Sequence, residues 1–358
     1  MKLPSKTLSL KDFKMYFDGY LREFVLKKRA HIQSVADPDS VYGAISYACD
    51  LVVGGGKRAR PYLAYLGFLI EGGKVTESFF RTVVALEIFH TFALIHDDII
   101  DKGVERHGMK TVHEFVKEEK HGFHQEPLHI GQAQAILVGD LLFSWSLEIL
   151  HSIKSEKIKK VVMTEFFAMV EEVVVGQMLD VDIMTRKKVS VEVIKKKNRL
   201  KTSGYSFTEP MKIGALLAKG KIAPARKDFY REFGTALGEA FQIQDDLLDV
   251  IGDPAKTGKD TLVDFQAGQH TYLSNELFNL NDPQVEKVRN EHFGKAFDAE
   301  KKKEIISLFI DKGIVSSASK RAKDEYDRAV QILSKAKLPK HHAKHIGDLI
   351  TYISQRVS

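Results

Sequence analysis

The sequence predicts an all-α protein on three observations. Apolar residues recur at three- and four-residue spacing through long stretches, no segment shows convincing strand-like alternation, and glycine and proline gather between the periodic stretches. A core-facing position returns roughly every 3.6 residues on a helix and every second residue on a strand, so the spacing separates the two.

The elements follow in order. GGGKRARP, Gly54 to Pro61, closes one helix at its glycines and opens the next, where Pro61 suits the first turn. Gly72 and Gly73 mark another break, and Val83 to Ile100 carries the helical period. The polar segment from Glu114 to Gly131 reads as an extended loop or short insertion. Its His121, His124 and His129 are expected to be loop residues, with a metal site as the alternative. Ala135 to Ile153, Val161 to Val181 and Phe233 to Ile251 are again helical, the last closed by Gly252 to Pro254, and Ile305 to Ile310 is a shorter apolar stretch. With no low-complexity linker, the expectation is one large helical domain over residues 1–358.

The net charge of +6 comes from 54 Lys and Arg set against 48 Asp and Glu. The cations are dispersed, and short runs such as Lys195 to Lys197 read as solvated helix faces, so no nucleic-acid partner is expected. Cys49 is the single cysteine, which excludes an intrachain disulfide and a cysteine-built zinc site. MKLPSKTLSLKDF has no continuous apolar core, and AILVGDLLFSW is interrupted by Asp140, so no stable membrane insertion and a cytoplasmic location are expected.

Two clusters break the apolar pattern. LIHDDIID contains Asp97, Asp98 and Asp101, and FQIQDDLLDVI contains Asp245, Asp246 and Asp249. Asp97 and Asp101 share a helix face, as do Asp245 and Asp249, and like charges one turn apart repel. Cations must therefore lie nearby. Carboxylate oxygens without cysteine or paired histidines point to a hard ion and away from zinc. Mg2+ fits, and because it binds through one or two carboxylates plus phosphate and water, the clusters imply a phosphorylated ligand. Acidic helix faces paired with Lys or Arg are the plain alternative. Lys57, Arg58 and Arg60 of GGGKRARP fall at a helix N-terminus, where the dipole and free N–H groups favour an anion. The glycine-lysine-serine signature of a P-loop is absent.

LIHDDIID followed by ERHG, with FQIQDDLLD later, resembles the paired aspartate-rich motifs of the trans-isoprenyl diphosphate synthases, the farnesyl and geranylgeranyl diphosphate synthase family. GGGKRARP, GQMLD (Gly176 to Asp180), KTSGYSF (Lys201 to Phe207) and TGKD (Thr257 to Asp260) match the family's further motifs in order, over nearly the whole chain. The resemblance implies an isoprenoid-synthase helical bundle with a central cavity, homodimerisation, and a trio of Mg2+ ions with diphosphate. Asp97, Asp101, Asp245 and Asp249 would be metal ligands, with Asp98 and Asp246 completing the catalytic carboxylates. Lys57, Arg60 and His90 would hold isopentenyl diphosphate, while Arg106, Lys201 and Lys259 would grip the allylic diphosphate. Thr202 and Gln242 would present oxygens to a carbocation, and Tyr205 and Phe241 would wall the cavity. Two departures stand out: His107 follows Arg106 where the family has a second arginine, and Gln269 replaces a lysine, with His270 as its expected partial substitute.

The reaction implied is head-to-tail prenyl transfer, in which magnesium-neutralised diphosphate leaves and the acceptor double bond attacks the allylic cation. A non-catalytic regulatory subunit of a heteromeric synthase and a terpene cyclase of the same fold are the alternatives, but the former would be expected to lose aspartates and the latter to replace QDDLLD. Below the first cluster, Ala93 opens the stripe at one turn and Phe89 closes it at the next, with Phe92 flanking the gap. An aromatic five residues before the cluster with a small residue after it resembles the geranylgeranyl (C20) type over the farnesyl (C15) type.

Overall fold

The structure, a computed structural model, describes residues 7–35, 41–106, 108–122, 124–253 and 260–355. His107 and Lys259, and with them most of TGKD, lie outside the described residues. The fold is all-α as the periodicity requires. By its internal contacts the chain divides into two compact units: Met1–Met163 with Ile213–Lys221, and Thr164–Lys212 with Ile222–Ser358.

The first unit holds α1 (Leu10–Val35), α2 (Tyr42–Val53), α3 (Ala59–Ile70), α4 (Glu77–Ile100), α5 (Val112–Glu119) and α6 (Pro127–His151). It also takes the first turns of α7 (Glu156–Met184) and the last turns of α9 (Glu209–Lys219). Its centre is aromatic. Phe13 lies 5.1 Å from Tyr65, 5.3 Å from Tyr62 and 5.7 Å from Phe80, ring to ring. The Leu8 N–H donates to Tyr65 Oη at 2.8 Å, and Tyr62 Oη donates to the Leu8 carbonyl at 3.1 Å, so the phenols are satisfied while their rings are buried. At Gly214 an added Cβ would stand 1.9 Å from the Ala64 carbonyl oxygen, so glycine is what lets α9 lie directly on the α3 backbone.

Two expectations change here. The segment Glu114 to Gly131 is mostly helical: Val112, His113, Glu114 and Val116 are buried on α5, and α6 starts at Pro127, leaving residues 120–126 between them. The histidines and charges hid a short amphipathic pattern. Among the described residues, no three His, Cys, Asp or Glu side chains there or elsewhere form a closed metal cage. The Asp140 interruption also proves weaker than its reading, because α4 and α6 are each long and apolar enough to cross a membrane by length and composition. They pack against one another in the unit, with 67% of the apolar window of α4 buried but only 44% of that of α6. A two-residue antiparallel pair, β1 (Glu105–Arg106) with β2 (Met109–Lys110), is too short for alternation to reveal it.

The second unit contains the rest of α7, α8 (Val191–Asn198), a π-helical stretch Arg199–Thr208 and the start of α9. It continues with α10 (Pro224–Ile251), α11 (Val263–Ala267), α12 (Tyr272–Phe278), α13 (Pro283–His292), α14 (Ala299–Asp311), α15 (Ile314–Lys335) and α16 (Lys340–Ser354). Ile243, Leu247, Leu262, Phe265, Leu273 and Phe309 are central to its core. Ser190, Thr271, Asp282 and Asp298 cap the helices they precede through side-chain oxygens. The π-helical stretch is gripped on two sides. An added Cβ at Gly176 of α7 would meet the Lys201 nitrogen at 2.5 Å, and those at Gly238 and Gly234 of α10 would meet Ser203 and Thr208 at 2.3 and 2.2 Å. Three glycines thus admit a wider helical turn, a feature frequent at functional sites.

Near the end of that stretch Glu165, Glu209 and Lys212 meet. Lys212 bridges both carboxylates, at 3.0 Å for Glu209. Loss of hydration pushes Glu209 from its ordinary 4.5 up to about 8, against the pull of Lys212 and helped by Glu165. The folded protein then binds a proton that the unfolded chain releases, so stability is expected to fall as pH rises from about 4.5 to about 8. Glu209→Gln should flatten that slope in urea midpoints measured across the range; an unchanged slope would count against a raised Glu209.

Candidate active site

The first aspartate cluster closes α4. Asp97 and Asp101 are half-buried, while Asp98 is buried and accepts from Arg106 Nε at 2.8 Å. A second nitrogen of Arg106 reaches Asp98 as well and lies 3.9 Å from Asp97 Oδ2. The middle carboxylate therefore holds the arginine in place. Asp97 and Asp101 remain one turn apart, the Asp101 N–H donating to the Asp97 carbonyl at 2.8 Å. His90 is half-buried two turns earlier on the same helix.

The basic motif separates into two roles. Lys57 and Arg60 are half-buried at the start of α3, as the sequence implies. Arg58 points elsewhere: it is 3% exposed and pairs with Glu87 at 2.6 Å and Asp18 at 2.8 Å. It occupies the left-handed N-cap position with φ 54°, so its side chain enters the core instead of joining an anion site. This corrects the expectation that all three cations serve an anion.

Along α4, Phe89 is buried and Phe92 and Ala93 are half-buried. The Phe92 ring lies 5.4 Å from Phe89, 4.7 Å from His96 and 5.2 Å from Phe143 of α6. Phe143 is an aromatic neighbour that sequence spacing on α4 alone cannot reveal.

In the second unit α10 and the π-helical stretch meet through a hydrogen-bonded chain. Thr202 Oγ1 donates to Gln242 Oε1 at 3.0 Å, Gln242 Nε2 donates to Asp246 Oδ1 at 2.9 Å, and the Tyr272 N–H donates to Asp246 Oδ2 at 3.0 Å. Asp246 is therefore a buried anchor, whereas Asp245 is exposed and Asp249 half-buried. Tyr205 is half-buried on the π-helical stretch, and the Phe241 ring lies 5.6 Å from that of Phe207.

Asp264, which sequence reasoning missed, joins this group. Its only signal is a place in DFQAGQHT, and the folding of α11 against the end of α10 puts it beside QDDLLD. Loss of hydration, then repulsion from Asp246 and Asp245, pushes Asp264 up to about 7. Asp249 is held well above its ordinary value by the same loss of hydration and by Asp264, and burial lifts Asp246 to about 6. Carboxylates that resist ionising together are short of positive charge. A magnesium ion held by one or two of them with phosphate oxygens and water needs no closed protein cage, so the donor set fits.

Lys201 is half-buried and donates to Asp180 Oδ2 at 2.7 Å. Lys197 is buried, lies 3.0 Å from the other Asp180 oxygen and donates to the His270 carbonyl at 3.1 Å. Burial raises the Asp180 carboxyl, but the two lysines outweigh it and hold it below its ordinary value. Lys197 thus departs from the solvated face expected of Lys195 to Lys197; its one-turn spacing from Lys201 was the available signal. Gln269 is half-buried, its N–H donating to the Asp264 carbonyl at 2.8 Å. His270 does not replace the missing lysine. It is 1% exposed, turns Nε2 to the Arg186 carbonyl at 3.0 Å, and burial keeps its pKa below the usual value.

A family model for polyprenyl synthetase matches residues 42–309. Geranylgeranyl diphosphate synthase of Methanosarcina mazei is 31% identical over 285 residues, covering 76% of this chain and 78% of that protein. Farnesyl diphosphate synthase of Escherichia coli is 34% identical over 232 residues, covering 61% and 70%. The crystal structure of geranylgeranyl pyrophosphate synthase from Corynebacterium glutamicum, complexed with isoprenyl diphosphate and magnesium, is 29% identical. It superposes with a TM-score of 0.91, covering 98% of this chain and all of that one. The family match over most of the chain, with both aspartate clusters inside it, establishes that this chain belongs to the polyprenyl synthetase family.

Proposed function

We propose that this prenyltransferase condenses isopentenyl diphosphate head-to-tail with an allylic diphosphate to give a short-chain product, geranylgeranyl diphosphate (C20) in preference to farnesyl diphosphate (C15). The observation that carries the reading is the group Asp246, Asp249 and Asp264, whose carboxyls burial and mutual repulsion push up beside Asp245, a shortage of cations where the family's motif lies. Magnesium bound with the diphosphate would supply charge neutralisation of the leaving group. Asp97, Asp101, Asp245 and Asp249 are its proposed ligands, with Asp264 added. Asp98 and Asp246 act by holding Arg106 and Gln242. Lys57, Arg60 and His90 bind the acceptor diphosphate. Arg106 and Lys201 bind the allylic one, and Asp180 with Lys197 sets the position of Lys201. Lys259 joins Arg106 and Lys201 on the allylic diphosphate, and His107 binds the acceptor diphosphate in place of the family's second arginine. The Gln242 and Thr202 oxygens face developing positive charge, and Tyr205 and Phe241 shield it from water.

We further infer a single isoprenyl diphosphate synthase domain over residues 1–358, a soluble cytoplasmic protein and a homodimer. Leu128, Ile136 and Leu137 on α6, and Phe167, Val174, Val175 and Met178 on α7, are exposed apolar residues suited to a second copy. Incubation with magnesium, labelled isopentenyl diphosphate and dimethylallyl, geranyl or farnesyl diphosphate, followed by sizing of the products, tests the reaction. Absence of elongation with every primer would overturn it.

Product length gives a sharper test. The aromatic group of Phe89, Phe92 and Phe143 braces the helix face below Asp97, with Ala93 as its open position. Phe92→Ala is expected to lengthen the products and Ala93→Phe to shorten them to C15 or below. If chromatography gives both variants the wild-type distribution, these residues are not the floor.

A further inference from the structure

A cavity of about 230 Å³ in the second unit is lined by Met184, Thr185, Arg186, Lys187, Arg289, Asn290 and Phe293. Three of these side chains are cations. Arg186 is paired with Asp182, but among the described residues neither Lys187 nor Arg289 has a carboxylate at ion-pair distance. Arg289 is steadied by the Phe278 ring, with its guanidinium carbon 5.0 Å from the centroid. A fourth cation, Lys295, donates from Nζ to the Asn290 carbonyl at 3.0 Å.

From this shared lining we propose that Arg186, Lys187 and Arg289 bind a small phosphate-class oxyanion, inorganic phosphate or diphosphate. Cations grouped around one pocket repel until an anion arrives, and guanidinium groups match phosphate oxygens in pairs. The volume, below the roughly 300–1,000 Å³ of sites for drug-sized molecules, suits a small ion. The site also has a physical connection inward. The Arg186 carbonyl contacts His270 Nε2 at 3.0 Å, the His270 carbonyl accepts from Lys197 at 3.1 Å, and Lys197 pairs with Asp180, which holds Lys201. Phe293 of the cavity wall lies 5.1 Å from the His270 ring. An anion here sits one chain of contacts from the lysine assigned to the allylic diphosphate.

Anion binding is measured on the full chain without magnesium or prenyl substrates, so its outcome is independent of the proposed catalysis. Inorganic phosphate, then diphosphate, is titrated calorimetrically while the His270 ring resonance, assigned with His270→Gln, is followed by NMR. Saturable binding that moves this resonance is expected. The double variant Lys187→Ala, Arg289→Ala should weaken it by about tenfold or more, as loss of two charged contacts implies. Arg289→Lys, which keeps the charge but loses the paired guanidinium contacts, should weaken binding less than the double variant, and Lys201→Ala should leave this resonance shift intact. Equal affinity in the double variant, or a His270 resonance unmoved at saturation, overturns the site. Capture on phosphatidic acid vesicles without binding of free phosphate overturns the small-ion assignment in favour of a lipid headgroup.

Discussion

Asp245→Ala is expected to lower turnover by about a hundredfold to a thousandfold or more, the scale associated with removing a principal electrostatic contact to a transition state. The same change should leave folding stability equal or higher. Asp245 is exposed, and its negative charge helps push up Asp246 and Asp264. Deleting it therefore relieves repulsion in the metal-free protein while removing a proposed ligand. Asp97→Ala should show a comparable loss of turnover, with Arg106 still held by Asp98. Asp246→Ala should behave differently: it breaks the contacts to Gln242 and to the Tyr272 N–H, so stability and turnover fall together. Steady-state rates and urea midpoints on the three variants check this pattern. Near-normal turnover in Asp97→Ala or Asp245→Ala would reject a mechanism needing both clusters.

Arg58→Ala is expected to destabilise the protein by about 3–5 kcal/mol, the range for removing one partner of a buried ion pair. Arg58 and Glu87 are 3% and 4% exposed, and the guanidinium also reaches Asp18 at 2.8 Å and the Val53 carbonyl at 3.3 Å. Its deletion leaves the Glu87 carboxylate buried without its cation. Glu87→Leu added to Arg58→Ala should recover part of the loss, since a buried pair replaced by apolar groups is frequently tolerated. A loss below about 1 kcal/mol in urea unfolding, the scale of an exposed pair, would show that Arg58 is not an internal strut.

Much of this protein was legible in the residues alone. Helical spacing set the fold class, because each residue's side-chain direction follows from local backbone geometry. The clusters LIHDDIID and QDDLLD pointed to carboxylate chemistry, since their members lie within one or two turns of each other. Their assignment to a prenyl synthase came from the order of motifs along the chain. The short α5 escaped notice because its polar residues obscured an apolar stripe only two turns long.

What the tertiary structure decided was which groups within those motifs act outward and which act as struts. Arg58 turns into the core because φ 54° and two buried acids direct it there, while Lys57 and Arg60 beside it stay half-buried. Lys197 leaves its lysine run to meet Asp180, and Asp264 reaches QDDLLD only because α11 folds back on α10. Pairings between residues far apart in sequence depend on burial and on how helices pack. Local spacing carries no information about them, and the cation cavity between the ends of α7 and α13 is of the same kind.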